Sequence, residues 1–431
     1  MEFITRIGFG LFGLVVLLAI AWCFSNNRKA INWRLVGIGL VMQLLIAGFV
    51  LLTPWGASVF DMLSRGFVTL LGFTTEGARF IFGDFTDPEK FGFVFAFQVL
   101  PTIIFFASFM SVLYHLGVMQ KVVQGMAWVI TRLMPVSGAE TLSVCANAFI
   151  GQTESPLVVK PYISKMTESE LLTLMVGGMA TIAGGVLGAY VMLLGGGDPA
   201  QQAFYAKHLI TASIMAAPAT LLIAKILVPE TATPLTLGTV RMDVEKTTTN
   251  VIDAAAAGAA DGLKLALNVG AMLLAFIALI ALLNAPLVWI GEVTGLQDVL
   301  GRPTDLSSLL GYLLSPLAWA IGVPWQDAST VGGLIGTKVV LNEFVAYVQL
   351  GEILRGNVPG VALTDQGRLI ATYALCGFAN FSSIAIQIGG IGGIAPERRH
   401  DLARFGLRAV LGGSIATLMT ATIAGVLTHF A

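Results

Sequence analysis

The sequence predicts an all-α polytopic membrane protein with eight transmembrane helices, two opposed re-entrant hairpins and an inverted structural repeat. Three observations carry this. Only 11% of the 431 residues are charged, where an ordinary soluble domain has about 25%, and so few charges cannot cover a water-exposed surface. Hydrophobic residues make up 56% of the chain and the mean hydropathy is +0.84, more apolar material than one core buries. Finally, polar residues recur in the same order in the two halves.

Eight stretches without a charge approach or exceed the roughly 20 apolar residues needed to cross hydrocarbon: 7–24, 35–54, 92–114, 171–197, 208–223, 265–291, 369–396 and 409–431. The first is a retained span rather than a cleaved leader, because its charged start is only MEFITR and Trp22 precedes Cys23, which suits neither cleavage pattern. Lys and Arg near the span ends set the orientation. Arg28, Lys29 and Arg34 stand without an acid in the first loop, and Arg398, Arg399, Arg404 and Arg408 precede the last span. Both segments are read as cytoplasmic. The loop after span two is acid-rich (Asp61, Glu76, Asp84, Asp87, Glu89) and is read as external. An even number of spans separates the basic segments, so both termini fall outside the cytoplasm.

Four further segments are too broken to be ordinary spans. Residues 119–133 and 308–323 read as amphipathic or interfacial. Residues 138–163 and 327–352 carry Lys, Glu and Asn at membrane depth, with Pro156 in the first, and read as re-entrant hairpins, since non-helical backbone at that depth must line protein or water. Two full spans in their place would keep the same parity.

The repeat is visible in its polar residues. Thr153-Glu154, then KMTESELL, then GGMATIAGG in the first half correspond to Asn342-Glu343, then ALTDQGRL, then CGFANFSSI in the second. Each half has a span, an amphipathic segment, a hairpin, a broken span and a closing span. Three full spans per unit is odd, so the second unit is inverted relative to the first, an architecture that places substrate and ion sites between hairpin tips and discontinuous helices. The chain divides into N-terminal scaffold spans with an external interfacial segment (1–91), a first repeat (92–228), a cytoplasmic connector (229–264) and a second, inverted repeat (265–431).

The strongest candidate site is NAFIGQTESP, Asn147 to Pro156. A carboxylate such as Glu154 in the bilayer costs several kcal/mol unless paired or hydrated; the structural alternative is a pair with Lys160 that merely holds the hairpin. Gln152 and Thr153 offer an amide and a hydroxyl to a polar heterocycle, while Gly151 and Pro156 let the helix break and free carbonyls for a cation. In LNEFVAY, Glu343 is an acceptor suited to a pair of sugar hydroxyls, the alternative being a salt bridge to Lys338. Asn380 and Ser383 in GFANFSS add amide and hydroxyl groups. Gly184, Gly185 and the GGIGGI run (389–394) read as packing or a helix end. His115, His208, His400 and His429 show no metal spacing, and Cys23, Cys145 and Cys376 form no disulfide framework or CxxC site. A net charge of -1 argues against nucleic acid as a partner, and no nucleophile, base and orienter set points to an enzyme.

GQTESP, NEFVAY and CGFANFSSIAIQIGG, together with SNNRKAIN and NVIDAAAAGAADGLKLALNVGAMLLAFIALIALLN, resemble the bacterial concentrative nucleoside transporter family over nearly the whole chain. The resemblance implies a cation-coupled importer in the bacterial inner membrane, a homotrimer whose hairpin-bearing part moves in an elevator-like step. It further implies that Gln152, Thr153 and Glu154 face the nucleobase with Val186 packed on it, and that Glu343, Asn380 and Ser383 hold the ribose. A sodium ion would use Asn147, the Ile150 carbonyl, and Thr181 with Ile182; Ile150 and Thr181 stand where the sodium-coupled members considered carry Val and Ser. The expectation is sodium-driven nucleoside import. Its rivals are proton coupling through Glu154 or Glu343, and a channel or structural scaffold.

Overall fold

A computed structural model describes residues 2–238, 248–297 and 303–428; part of the expected connector, and His429, lie outside the described residues. Among these the chain is built of helices without a β-strand. The longer ones are α1 (Glu2–Cys23), α2 (Trp33–Leu52), α3 (Pro54–Phe82), α4 (Leu100–His115), α5 (Val118–Leu133), α6 (Gly138–Asn147), α7 (Glu168–Ala180), α8 (Gly184–Gly195), α9 (Pro199–Leu227), α10 (Val251–Val293), α11 (Leu306–Ala320), α12 (Trp325–Val340), α13 (Glu343–Leu354), α14 (Asp365–Ala374), α15 (Phe381–Ile394) and α16 (Arg399–Leu427).

Among the described residues, every apolar stretch expected to cross is built largely of helix. Among the described residues seven helical segments are long and apolar enough to span a bilayer, or eight if the bent pair Leu306–Ala320 and Trp325–Val340 is taken as one span. The stretch 369–396 is instead two short helices, α14 and α15, separated by Leu375–Asn380. Two helices exceed the expectation. The segment after span two, expected to be external, is the 29-residue α3, whose buried Phe60, Ser64, Leu71, Thr74 and Ala78 follow the helical period, while Met62, Phe73, Phe80 and Ile81 are exposed together with Arg65, Glu76 and Arg79. The apolar stretch 265–291 is part of the 43-residue α10, begun by an Asn250 cap that accepts the Asp253 N–H at 2.9 Å.

Helix starts follow the local chemistry. Thr167 accepts the Glu170 N–H while Glu170 accepts the Thr167 N–H, a capping box, and Thr364 accepts the Gly367 N–H. Each hairpin is two arms packed on one another. The first runs from α6 through an unwound tip, Ala148–Glu154, into a 3₁₀ turn at Ser155–Val159 and a short helix, Lys160–Ile163; the second is α12 and α13 joined at Leu341–Asn342. Asp327 at the start of α12 accepts the Thr364 N–H and hydroxyl. At the start of α6, Glu140 pairs with the buried Lys225 at 2.8 Å, and Lys225 also meets Glu230 and Ser169.

The two hairpin bases sit at opposite ends of α16. Arg398 and Arg404, at its start, hold the exit of the first hairpin through the Met166 carbonyl (2.6 Å) and Glu168 (2.7 Å). At its other end Gly425 lies against Ile370, which also faces Gly322 at the base of the second hairpin. The 29 residues of α16 separate these ends by roughly 43 Å at 1.5 Å per residue. Both basic segments fall at the first end, where Asn26 donates to the Leu227 carbonyl, while Gly10 and Gly13 of α1 pack at the second, against Val426 and Ala320.

The helices around the breaks are deeply buried: 89% of the membrane-length stretches of α7–α8 and of α9 is inside the protein, against 11% for α10. Helix α10 packs along α4. The stripe Ala254, Gly258, Gly262 and Ala266 is buried there, and a Cβ at Gly258 would stand 2.7 Å from the Ala107 carbonyl oxygen, so small residues set this approach.

Candidate functional site

The two helix breaks cross each other. Helix α7 ends at Ala180 and α8 begins at Gly184; α14 ends at Ala374 and α15 begins at Phe381. The Phe378 N–H donates to the Thr181 carbonyl at 3.3 Å, tying one break to the other. The first hairpin tip caps the junction, because the Gly184 N–H donates to the Phe149 carbonyl at 2.9 Å. A Cβ at Gly184 would meet that same oxygen at 2.7 Å, the packing role expected of this glycine. Gly185 has open space around it and lines the cavity.

A cavity of about 1110 Å³ lies beside the crossing. One wall is formed by Met110 and Tyr114 of α4 and Asp261 and Val269 of α10; the other by both hairpins and both breaks. All seven expected substrate residues line it: Gln152, Thr153, Glu154, Val186, Glu343, Asn380 and Ser383. They form two connected groups. The Gln152 amide donates to Ser383 Oγ at 3.0 Å, and its oxygen accepts from Gln387 at 3.1 Å. The buried Glu343 accepts from the Tyr190 hydroxyl at 2.9 Å and from Asn380 Nδ2 at 3.1 Å. Asn380 also caps α15, its Oδ1 accepting the Ser383 N–H and the Ser382 hydroxyl, so the amide is fixed at both ends. Glu154 accepts the Gly151 N–H at 3.2 Å, Thr153 packs toward Gly390, and Val186 is buried in the wall.

The expected ion residues gather behind the first tip. Thr181 Oγ1 donates toward the Asn147 and Gly177 carbonyls at 3.0 and 3.1 Å, leaving its lone pairs free. Asn147 spends its Nδ2 on the Ser143 carbonyl, while its buried Oδ1 has no hydrogen-bond donor. A buried acceptor left without a donor is costly, and a small hard cation relieves that cost by taking oxygen ligands. Ile182 is fully buried beside it, and Ile150 lies at the rim of the cavity. The donor set therefore fits sodium: Asn147 and Thr181 would hold the ion with main-chain carbonyls from the tip and the break, and the ion would supply the positive charge that steadies this turn.

Neither structural alternative for the carboxylates appears. Among the described residues Glu154 has no ion pair with Lys160, and Lys338 bonds the Ala374 carbonyl and Thr417 rather than Glu343. Four residues that shape the site escaped the sequence reading. Tyr190 and Gln387 orient Glu343 and Gln152; Phe344 packs edge-on to Tyr190 at 5.1 Å and lines the cavity; Phe378 lines it at the second break. Phe344, Phe378 and Gln387 sit inside the quoted NEFVAY and CGFANFSSIAIQIGG, whereas Tyr190 lies in an apolar run where the side chain alone carries no signal.

Three family models cover most of the chain: the Na+ dependent nucleoside transporter N-terminus at residues 12–85, a gate described as nucleoside recognition at 96–197, and the Na+ dependent nucleoside transporter C-terminus at 208–425. The nucleoside permease NupC of Helicobacter pylori is 41% identical over 422 residues, with 97% of each chain covered. The structure of CNTnw in an inward-facing substrate-bound state is 44% identical and matches with a TM-score of 0.87 over 99% of each chain. A CNTnw variant in an outward-facing state, also 44% identical, matches at 0.88 over 98% of this chain and 97% of the other. These matches bear out the resemblance read from GQTESP, NEFVAY and CGFANFSS: the chain belongs to the concentrative, Na+ dependent nucleoside transporter family.

Proposed function

We propose that this membrane transporter imports nucleosides into the bacterial cytoplasm, coupled to a sodium gradient, by an elevator-like movement of the hairpin-bearing body past the α4–α10 pair. One observation carries the reading: the polar groups of both hairpins and both breaks converge on a single cavity whose opposite wall is α4 and α10, with an orphaned Asn147 oxygen directly behind it. A substrate there is held by one body and screened by the other, so sliding one past the other changes the side it faces. Gln152, Thr153, Glu154 and Val186 take the nucleobase; Glu343, Asn380 and Ser383 take the ribose; Asn147, Ile150, Thr181 and Ile182 take sodium.

The hairpin bases at opposite ends of α16 support two opposed, re-entrant hairpins and an inverted repeat. With them go eight crossings, a homotrimer, both termini outside the cytoplasm, and the division of the chain at 91, 228 and 264. Nucleoside binding to purified protein across a sodium series at fixed pH, then across pH at fixed sodium, tests the coupling. Affinity rising with sodium supports the reading; affinity that ignores sodium and follows pH assigns coupling to a proton on Glu154 or Glu343. Accumulation of uridine above the bath level in proteoliposomes excludes a channel.

A further inference from the structure

The hydrogen-bond polarity of the first hairpin tip is set one layer behind the cavity wall. Gln387 of α15 is 0% exposed and lies behind Gln152. Its amide nitrogen donates to two oxygens, the Met175 carbonyl of α7 at 3.0 Å and Gln152 Oε1 at 3.1 Å. A main-chain carbonyl only accepts, so the NH2 end of Gln387 has to face Met175, and its remaining N–H then faces Gln152. The Gln387 oxygen meets no protein donor in return, a cost that the two N–H contacts offset. Gly178 leaves the room for this meeting, since a Cβ there would stand 2.6 Å from Gln387 Nε2 and 2.9 Å from Gln152 Cβ.

This lock decides what Gln152 can offer. With its oxygen held by Gln387, its NH2 turns the other way, giving one N–H to Ser383 Oγ at 3.0 Å and leaving one for the cavity that Gln152 lines. Ser383 Oγ accepts that N–H and so keeps its own proton for a ligand. Both groups therefore donate, opposite in polarity to the acceptor Glu343. Gln152 Nε2 is within 3.0 Å of the hydroxyl assigned to the ribose, so the base edge it meets is the one beside the glycosidic bond. Purines and pyrimidines alike carry an acceptor on that edge, N3 in the first and O2 in the second.

We propose that Gln387 is a positioning residue that locks Gln152 as a donor to this shared acceptor, and that the transporter thereby takes purine and pyrimidine nucleosides through one contact. This rests on the nucleoside reading of the cavity. Gln387 touches no ligand itself; it acts by denying Gln152 the flipped orientation, in which an amide oxygen would face the base acceptor and repel it.

The test removes the acceptor and the lock in turn. Binding of uridine, adenosine, 3-deazaadenosine and 7-deazaadenosine is measured at one sodium concentration and pH, on the native chain, Gln387→Met and Gln387→Asn, with melting temperature as the check on folding. 3-Deazaadenosine carries C–H where N3 stands, whereas 7-deazaadenosine keeps N3 and changes the far edge. The native chain should bind uridine and adenosine, and should bind 3-deazaadenosine about tenfold or more weaker than adenosine, because the Gln152 N–H is then left unpaired. 7-Deazaadenosine should bind like adenosine. Gln387→Met keeps the bulk without the lock, and the shorter Gln387→Asn cannot span both oxygens. In each, adenosine should weaken towards 3-deazaadenosine while 3-deazaadenosine itself hardly changes. A purely structural role would weaken every ligand alike and leave that ratio intact, so an unchanged ratio in the folded variants overturns the proposal. So does equal binding of adenosine and 3-deazaadenosine by the native chain, a loss confined to 7-deazaadenosine, or binding of uridine without adenosine. If the native chain binds none of the four, the nucleoside reading itself falls and the proposal falls with it.

Discussion

Replacing Glu343 by Gln keeps the shape of the side chain and removes its charge and one acceptor. In the native site its two oxygens face two donors, the Tyr190 hydroxyl at 2.9 Å and Asn380 Nδ2 at 3.1 Å. Asn380 cannot turn over to accept, because its own oxygen is held by the Ser383 N–H and the Ser382 hydroxyl. The Tyr190 hydroxyl can rotate, so the introduced amide would point its oxygen at Asn380 and its NH2 at Tyr190. The fold survives and the ligand meets a neutral group with one acceptor fewer. A charge-assisted hydrogen bond is worth about 1.5–3 kcal/mol. Losing one to a ribose hydroxyl and weakening a second costs on the order of 2–4 kcal/mol, or about 30- to 700-fold in affinity. Titration calorimetry with uridine and with uracil on both forms separates the contribution: the nucleoside should lose this much and the free base little, and the native protein should bind uridine more tightly than uracil. A Glu343→Gln protein that melts normally and binds uridine as well as the native chain refutes the ribose assignment, as does an equal loss for uracil.

Asn147→Ala and Thr181→Ala should raise the sodium concentration for half-maximal binding and lower nucleoside affinity only through that linkage, read from nucleoside binding at low and saturating sodium. Tyr190→Phe deletes the donor to Glu343 and should cost about 1–1.5 kcal/mol, roughly five- to twelvefold in nucleoside affinity, with the sodium dependence unchanged in the same titration. Lys225→Met strands Glu140 and Glu230 beside a buried Ser169 and should destabilise the protein by about 3–5 kcal/mol, seen as a lower melting temperature in detergent, while the folded fraction binds nucleoside normally.

The apolar helices were legible because hydrocarbon demands a length of uncharged sequence, and that demand is local. Two helices fell outside it for the same reason. Asp253, Asp261 and Lys264, inside the first part of α10, cut its apolar count short, and Arg65, Glu76 and Arg79 hid α3, yet charges on one face do not stop a helix. The polar side of the site was legible where a residue type was anomalous for its depth: Glu154, Glu343, Asn380. Tyr190 and Gln387 were not, since an aromatic or amide in an apolar run is ordinary until a partner 153 or 235 residues away is placed against it. The Glu-Lys pairs suggested by proximity in sequence did not form. Lys338 lies five residues before Glu343, and the helix ends between them, so it reaches α14 and α16 instead.

What joins these parts is the use of helix starts. Asn342 caps α13 and Asn380 caps α15, and each places a polar group at a helix N-terminus, where the backbone N–H groups and the dipole favour a negative charge. Glu343 is the first residue of α13, so the carboxylate assigned to the ribose sits in the field of its own helix and is braced by the cap of the next. The first tip works the other way. Its helix ends at Asn147, where the proposed sodium would sit, while Gln152 and Glu154, a few residues on, line the cavity. Any ion that orders Asn147 to Ile150 also fixes the positions of Gln152 to Glu154, and a nucleoside that fixes those residues orders the ion ligands in turn. Coupling between the two sites is then a property of one short tip, reciprocal by necessity, and a longer or glycine-rich tip between Ile150 and Gln152 should weaken the mutual dependence of sodium and nucleoside without abolishing the binding of either.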